Sequence, residues 1–511
     1  MKVAIIGSGA AGLTVGAYLA AVGHQVTVFE QHGEIGGVTA TVGQDGFSWD
    51  LGPLLLEGFG PAEAGTKILR SLGVVHRVGS VRSDRDIVFP DFSLIRPSEY
   101  RGPAWRREYL KTLFPADADG LDGYYEVLEA MTDLAVLARD GEMKARPGKL
   151  KRLLTMKKLF QPLRQYQDWT AERLMDHFFS SEKLKAVFTA ILADMVVKPS
   201  EFPALGVPLL NLETAFDARI PLFRTAAGVT PEYRFISGGC GSLVQALASV
   251  LQEHGGKILA GKTVSAVRTA GRRAIGVAFS DDSFFNADLV IATGGVRETF
   301  LHLLDGEPLK EDFRKKVESL IPMESVMMVH LGIDFDPSVY QRSPLCYYYG
   351  IYDINEGVEK CRRGDYHGGA DGFVVYVPSE HSPSMAPEGR HAVTIYTIAP
   401  NILNEGTWEE RRELLADALV AAAERYIPGL KKGTVTRLIM TPADFRRRTA
   451  QKHHSFGGLS PVMGQKSVPC QTPVKNLYFA GSQSESGGGI LPVMKGAVTL
   501  SGMIDRRCRR L

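Results

Sequence analysis

Short runs of consecutive apolar residues recur along this chain, most of them followed by glycine. VAII at 3–6, LVIA at 289–292 and LYFA at 477–480 read as strands buried on both faces. QVTVFE at 25–30 reads as a further strand and ends in Glu30. KTVSAVRT (262–269) and AIGVAFSD (274–281) alternate apolar and polar residues, which predicts a hairpin with one solvated face. Between the strands the period changes to that of a helix. The stretch after Gly9 is one such segment, and another begins at 238–242 with Leu243, Leu247 and Leu251 on one face. A third is predicted over 491–504, with Pro492 near its first turn.

One predicted helix has a different pattern. No acid lies between Glu142 and Asp168. That stretch carries Lys149, Lys151, Arg152, Lys157, Lys158 and Arg164 among Leu150, Leu153, Leu154, Leu159, Phe160 and Leu163. Over 148–161 it reads as a basic amphipathic helix. Such a helix can lie in the headgroup region of an anionic membrane, or pack on its own domain with a solvated basic face.

The chemistry begins in the first turn. Gly7, Gly9 and Gly12 form G-x-G-x-x-G directly after a predicted strand and at the start of a predicted helix. Gly7 permits the tight turn, Gly9 lets backbone approach a pyrophosphate, and Gly12 lets helix and strand pack closely. The helix then aims unpaired N–H groups, including those near Ala10 and Ala11, at the phosphates. Glu30 lies 18 residues after Gly12, where a carboxylate would bond a ribose hydroxyl. The same charge disfavours a nucleotide bearing a 2′-phosphate.

At 511 residues the chain is too long for one ordinary core, so more than one domain is expected. With 59 basic and 57 acidic residues the net charge is +2, which argues against a dedicated nucleic-acid binder. Five scattered cysteines, none in C-x-x-C spacing, argue against a disulfide framework or zinc site and fit a reducing compartment. No apolar run reaches the roughly 18 residues of a spanning helix. A cytoplasmic location follows as the expectation, with a peripheral seat on the inner membrane face left open by the basic helix. There is no G-x-S-x-G elbow and no H-E-x-x-H. The adjacent His453 and His454 would point to opposite faces of a strand, so a polar loop or surface pair is the plainer reading. CYYYGIYD at 346–353 reads equally as a channel lining or as a plain strand.

Longer stretches carry a resemblance. EIGGVTATVGQDGFSWDLGP places Gly36 and Gly37 just after the second strand, then Asp50, Gly52 and Pro53. SPSMAPEGRH contains A-P-x-G-x-H at 386–391, and Thr441, Pro442 and Phe445 give a T-P-x-x-F segment. Phe114 and Pro115 fall in an early helical region, and NLYFAGSQSESGGGILPVMKGA closes the pattern. Together these resemble the bacterial-type phytoene desaturase family, which includes carotenoid cis–trans isomerases and retinol saturases. Many relatives have arginine directly after the paired glycines, where this chain has Val38. Relatives often have aspartate where it has Ser382 and Ser482.

The resemblance implies an α/β protein: a discontinuous Rossmann-like FAD-binding domain with an inserted α+β substrate domain of mixed sheet plus helices. The expected boundaries are 1–75, 230–300 and 455–511 for the cofactor, and 76–229 and 301–454 for the substrate. It implies FAD as cofactor and a redox reaction on an apolar isoprenoid or carotenoid-like polyene: desaturation, saturation or cis–trans isomerisation by hydride exchange with flavin N5. The implied cofactor-binding set is Gly7, Gly9, Ala10, Ala11, Gly12, Glu30, Gly36, Gly37, Val38, Val264, Thr293, Gly294, Gly481, Ser482, Gly488, Gly489 and Ile490. In it, Gly487 to Gly489 would let backbone lie flat against the flavin, with the dipole of the following helix at its N1–C2=O edge. No catalytic residue and no metal ligand is assigned, and the oligomeric state stays open. Two other readings share the architecture: a flavin amine oxidase, and a non-catalytic isoprenoid-binding escort protein such as the Rab GDP-dissociation inhibitors.

Overall fold

The computed structural model describes residues 1–52, 54–141, 149–222, 224–225, 228–304 and 309–508. Pro53, residue 148 and the side chains of 149–152, all used above, lie outside the described residues.

Five parallel strands form one sheet, four of them the predicted runs and the fifth the short edge strand Lys257–Leu259. Their order is Lys257–Leu259, Gln25–Phe29, Lys2–Ile6, Leu289–Ala292, Leu477–Phe479. Residues from the start, middle and end of the chain therefore meet in one layer, and the first strand lies at its centre. Side chains leave that strand alternately. Val3 and Ile5 pack with Val15, Leu19 and Leu500 on the helical side. Ala4 packs with Val267, Val277 and Phe279 on the other. The helices there are Ala10–Ala21, Cys240–Glu253 and Ile490–Cys508. The opposite face is covered by an antiparallel meander, Val264–Ala270, Arg273–Phe279 and Phe284–Asn286. The predicted hairpin is its first two strands. The C-terminal helix starts one residue before its expected bounds and ends four residues after them; Arg507 Nη1 donates to Tyr478 Oη (2.9 Å) in the added turn.

A second, seven-stranded sheet is mixed. Its order is Thr434–Met440, Ser325–Ile333, His391–Ala399, Gly372–Tyr376, Leu345–Tyr349, Asp86–Val88, Ser93–Leu94. Every neighbouring pair is antiparallel except Leu345–Tyr349 with Asp86–Val88. Ser325–Ile333 is buried along its whole length, as a central strand covered on both faces must be. On one face Met327, Val329, Cys346 and Tyr348 meet the helix Trp408–Glu424. On the other, Val326, Met328, Tyr347 and Tyr349 join an apolar core with helical segments between residues 105 and 216. The chain is thus α/β with a discontinuous cofactor sheet and an inserted α+β part.

The basic stretch forms the helix Lys149–Phe160. Met156 and Leu159 pack on Val136 and Leu137 of the helix Ala118–Gly141, while Leu153 and Leu154 stay 53% and 60% exposed. No helix among the described residues is long and apolar enough to cross a membrane.

Candidate functional site

The glycine turn is built as its spacing predicts. Gly7 has φ +98°, a conformation that favours glycine. A Cβ on Gly12 would stand 2.0 Å from the Gly7 carbonyl oxygen, so no side chain fits between helix and turn. A Cβ on Gly9 would meet nothing within 4 Å, and the same holds at Gly294. Those two positions face open space where Gly7 and Gly12 face protein. No side chain caps the helix that Gly9 opens, leaving its first N–H groups for a ligand.

Three further turns converge there. Gly36 (φ +106°) donates its N–H to the Ser8 carbonyl (3.1 Å), and a Cβ on Gly37 would lie 3.6 Å from Gly9 Cα. Thr293 donates its hydroxyl to the Ile6 carbonyl (2.8 Å) and sits against Gly7. Gly481 (φ +116°) lies against the Thr293 carbonyl and near Ala11. Glu30 is buried and accepts from Ser8 N–H (2.9 Å), Ser8 Oγ (2.7 Å) and His32 N–H (2.9 Å). It ties the second strand to the glycine turn. Lys262 N–H donates to the Glu30 carbonyl (2.8 Å), which brings the segment before Val264 beside it.

Other members of the implied set take different positions. The Val38 side chain packs against the substrate-side core. Ile490 is buried beside Leu13 and Cys240, so only its backbone is free to face a ligand. The Ser482 carbonyl oxygen would lie 2.4 Å from a Cβ on Gly458. The triple glycine is constrained by protein as well as by any ring: a Cβ on Gly488 would sit 1.8 Å from the Gly457 carbonyl oxygen. Gly487 and Gly489 have φ +78° and +93°. Gly488, Gly489 and Ile490 line a cleft of about 720 Å³ with Leu55, Tyr233 and Lys495, which the Gly7–Gly12 turn does not reach. The 481–486 turn joins the two groups, since Ser484 Oγ (2.7 Å) and Ser486 Oγ (3.2 Å) donate to the Gly481 carbonyl.

Asp50 anchors the middle segment. Its Oδ1 accepts from Thr41 Oγ1 (2.5 Å) and from Cys240 N–H (2.9 Å) at the start of the helix Cys240–Glu253. Burial pushes its carboxyl up to about 6. Ser382 Oγ accepts from Gly238 N–H (3.0 Å) and bonds Ser384 Oγ (3.3 Å). The paired histidines are framework groups, and His454 is not at the surface. It is 1% exposed, stacks on Phe445 (centroids 4.8 Å), and bonds Ser325 Oγ through Nδ1 (2.7 Å). Burial holds it neutral, down to about 3. His453 bonds the Met323 carbonyl (3.1 Å).

Sequence reasoning missed a polar cluster under the mixed sheet. A cavity of about 50 Å³ is lined by Asp194, Tyr347, Tyr349, Tyr396, Asp371, Ile354, Val358 and Ile398 among others. Of CYYYGIYD, Tyr347, Tyr349 and Ile351 face this cavity, whereas Cys346 and Tyr348 face the opposite core. The stretch is thus the strand Leu345–Tyr349, with its two faces on different surroundings. Tyr396 Oη donates to Asp194 Oδ2 (3.4 Å). Burial pushes the Asp194 carboxyl up to about 7, opposed by the Arg85 guanidinium and by bonds from Tyr396 and Tyr347. Tyr396 packs on Phe456 (centroids 6.0 Å), the neighbour of Gly457 that meets Gly488. The cavity is therefore linked to the glycine-lined cleft through two contacts. Asp194, Arg85 and Tyr396 share no local motif, so no signal in the sequence marks them.

A family model for flavin containing amine oxidoreductases matches residues 10–498. The chain is 25% identical to the rat pyridine nucleotide-disulfide oxidoreductase domain-containing protein 2, over 95% of this chain and 90% of that protein. It is 24% identical to a 4,4′-diapophytoene desaturase (4,4′-diaponeurosporene-forming) of Staphylococcus aureus, over 99% of both. A putrescine oxidase triple mutant has the same fold, with TM-score 0.64, 16% identity and 99% of both chains covered. The open faces at Gly9 and Gly294, the uncapped helix and the buried Glu30 fit a flavin dinucleotide. The chain belongs to the flavin containing amine oxidoreductase family, in its phytoene desaturase-like part, as an oxidoreductase whose cofactor is FAD.

Proposed function

We propose that this oxidoreductase acts on a long isoprenoid or carotenoid-like polyene, changing the bond order or geometry of a CH–CH or C=C unit. The observation that carries the reading is the cavity behind Phe456 and Gly457: aromatic and aliphatic walls with two carboxyls, of which Asp194 is the one that burial pushes up. Its 50 Å³ suits one slice of a chain, with the rest of the substrate running out of it. The likeness to a diapophytoene desaturase over the full length supports the same substrate class. Bound in the groove, FAD supplies a two-electron acceptor or donor at its N5.

The chain's own groups supply the rest. The apolar walls exclude water and orient the substrate by shape. Ionised Asp194 takes the proton released when two carbons become doubly bonded, and protonated Asp194 returns it in the reverse direction. Tyr396 and Tyr347 hold that carboxyl in place through their hydroxyls. The helix Lys149–Phe160, with Leu153 and Leu154 exposed beside Lys157 and Lys158, is proposed as the seat on an anionic membrane from which such a substrate enters.

Anaerobic mixing of the flavin-loaded protein with isoprenoid lipids tests the reading. Bleaching of the flavin by a saturated or partly saturated isoprenoid supports desaturation, and reoxidation of pre-reduced protein by a polyene supports saturation. A shifted cis–trans ratio without net bleaching supports isomerisation. A second reading, oxidation of an amine, is favoured by Asp194 and Asp371 lining one tyrosine-walled cavity, an arrangement suited to an ammonium group. Bleaching by amines and by no isoprenoid would replace the first reading with this one.

A further inference from the structure

The pyrophosphate of FAD is anionic, and the groove as described meets it with backbone N–H groups and a helix end. Glu30 is a carboxylate at one end of that groove, and Glu34 lies on the same loop. Position 38, where many relatives carry arginine after the paired glycines, is filled by an apolar side chain turned into the core. A cation is wanted at the paired glycines, and position 38 does not provide it.

The chain brings one from 410 residues further on. Arg448 lies in the last turn of the helix Pro442–Thr449. Its Nε donates to the Gly37 carbonyl (2.8 Å). Its side chain is 7% exposed, and its Nη2 has no hydrogen-bond partner; Glu34 Oε2 is 3.7 Å away, on a side chain 67% exposed. The backbone beneath is fixed, because the Gln31 amide donates to the carbonyls of both Arg447 and Arg448 (3.0 Å each). Gly37 in turn abuts Gly9, the open position of the phosphate turn. A buried guanidinium with an unspent N–H costs free energy unless something completes it. One edge of this fork is thus committed to the paired glycines, and the other is uncommitted beside the groove.

We propose that Arg448 makes the cationic contact to the FAD pyrophosphate, standing in for the arginine that this chain lacks at position 38. The contact to Gly37 positions the fork, and Nη2 is the donor left for a phosphate oxygen. Bidentate, planar recognition of this kind is what arginine does better than lysine.

The test measures FAD affinity of the apoprotein by fluorescence titration at low and high salt, for wild type, Arg448→Met, Arg448→Gln and the double variant Val38→Arg/Arg448→Met. Arg448→Gln keeps a donor for Gly37 and removes the charge together with the Nη groups. Both single variants should bind FAD about 10- to 100-fold more weakly, the loss expected for a charge-assisted bond, with a shallower salt dependence. Arginine supplied at position 38 should restore most of the affinity. Wild-type affinity in Arg448→Gln, or a loss that the double variant does not mend, overturns the proposal. Thermal unfolding of the apoproteins separates folding from binding: unchanged apoprotein melting with weakened FAD binding supports it, and losses explained wholly by apoprotein unfolding count against it. The inference rests on FAD as cofactor: wild-type apoprotein that takes up no FAD overturns both, whereas wild-type affinity in Arg448→Gln overturns this inference alone.

Discussion

The two sheets solve opposite problems. Around the parallel sheet, the positions that matter are where side chains are absent, because backbone must meet backbone or leave room for a ligand. Around the mixed sheet they are where polar side chains are buried among apolar ones and held by each other. The comparison teaches where each half is fragile: the first to added atoms, the second to removed charges.

The largest effect separates two kinds of glycine. Gly12→Val and Gly488→Val drive a side chain into backbone that stands 2.0 Å and 1.8 Å from the new Cβ. Each should cost about 4 kcal/mol or more, so that urea unfolding finds little folded protein. Gly9→Val meets open space, and should leave the melting of the apoprotein near wild type while abolishing FAD uptake. Equal destabilisation by all three would erase the distinction.

The matching test in the other half is Arg106. It is fully buried, bonds Glu213 through Nη2 (2.7 Å) and Nε (3.1 Å), and stacks 3.8 Å over Phe216. Arg106→Met alone should lose about 3–5 kcal/mol, because it strands the Glu213 carboxylate. Adding Glu213→Gln should recover part of that loss; no recovery in a double-mutant cycle would mean that packing, not charge, sets the cost.

Asp194→Asn should lower turnover of the true substrate about 10²- to 10⁴-fold and leave flavin content unchanged. In wild type, desaturation should speed up as pH rises through about 7, when the carboxyl ionises. Stability should run the other way. The folded value lies above the ordinary 3.8, so between about 4 and 7 the native state keeps a proton that the unfolded chain has released. The Asp194 contribution to stability is therefore full below about 4 and is lost as pH rises toward 7. Flat rate and stability profiles in this window would remove Asp194 from the mechanism. The smallest effect is Tyr348→Phe on the helix-covered face, which removes a buried bond to Gln341 Oε1 (3.0 Å) and should cost about 1 kcal/mol with no change in turnover.

The same contrast explains what could be read from the sequence. Gly7, Gly9, Gly12 and Glu30 obey spacing rules because a turn and the strands beside it are local, so four of the five cofactor-sheet strands were legible, and the short edge strand Lys257–Leu259 was not. The mixed sheet was legible as a kind only through resemblance. Its strand order depends on pairings such as Cys346 with Asp86, which no periodicity encodes. Asp194, Arg85 and Tyr396 look ordinary in sequence, since their character comes from burial and from one another. His454 read as a surface or loop residue because adjacent polar residues usually are solvated; the stacking of Phe445 puts it inside. The triple glycine was noticed correctly, but the nearest obstacle to a side chain there is the Gly457 carbonyl.

The central place of the first strand has a consequence for timing. Lys2–Ile6 is synthesised first, yet its neighbour Leu289–Ala292 and the outer strand Leu477–Phe479 arrive far later. At 5–20 residues per second, roughly half a minute to a minute and a half passes between the first strand and the last. Until then the dinucleotide groove lacks its Gly481 wall, and the buried strand Leu289–Ala292 keeps an unpaired edge. Loading of FAD is therefore a late event in the life of each new chain, and a ribosome that stalls before residue 477 leaves a product with an exposed sheet edge at its heart.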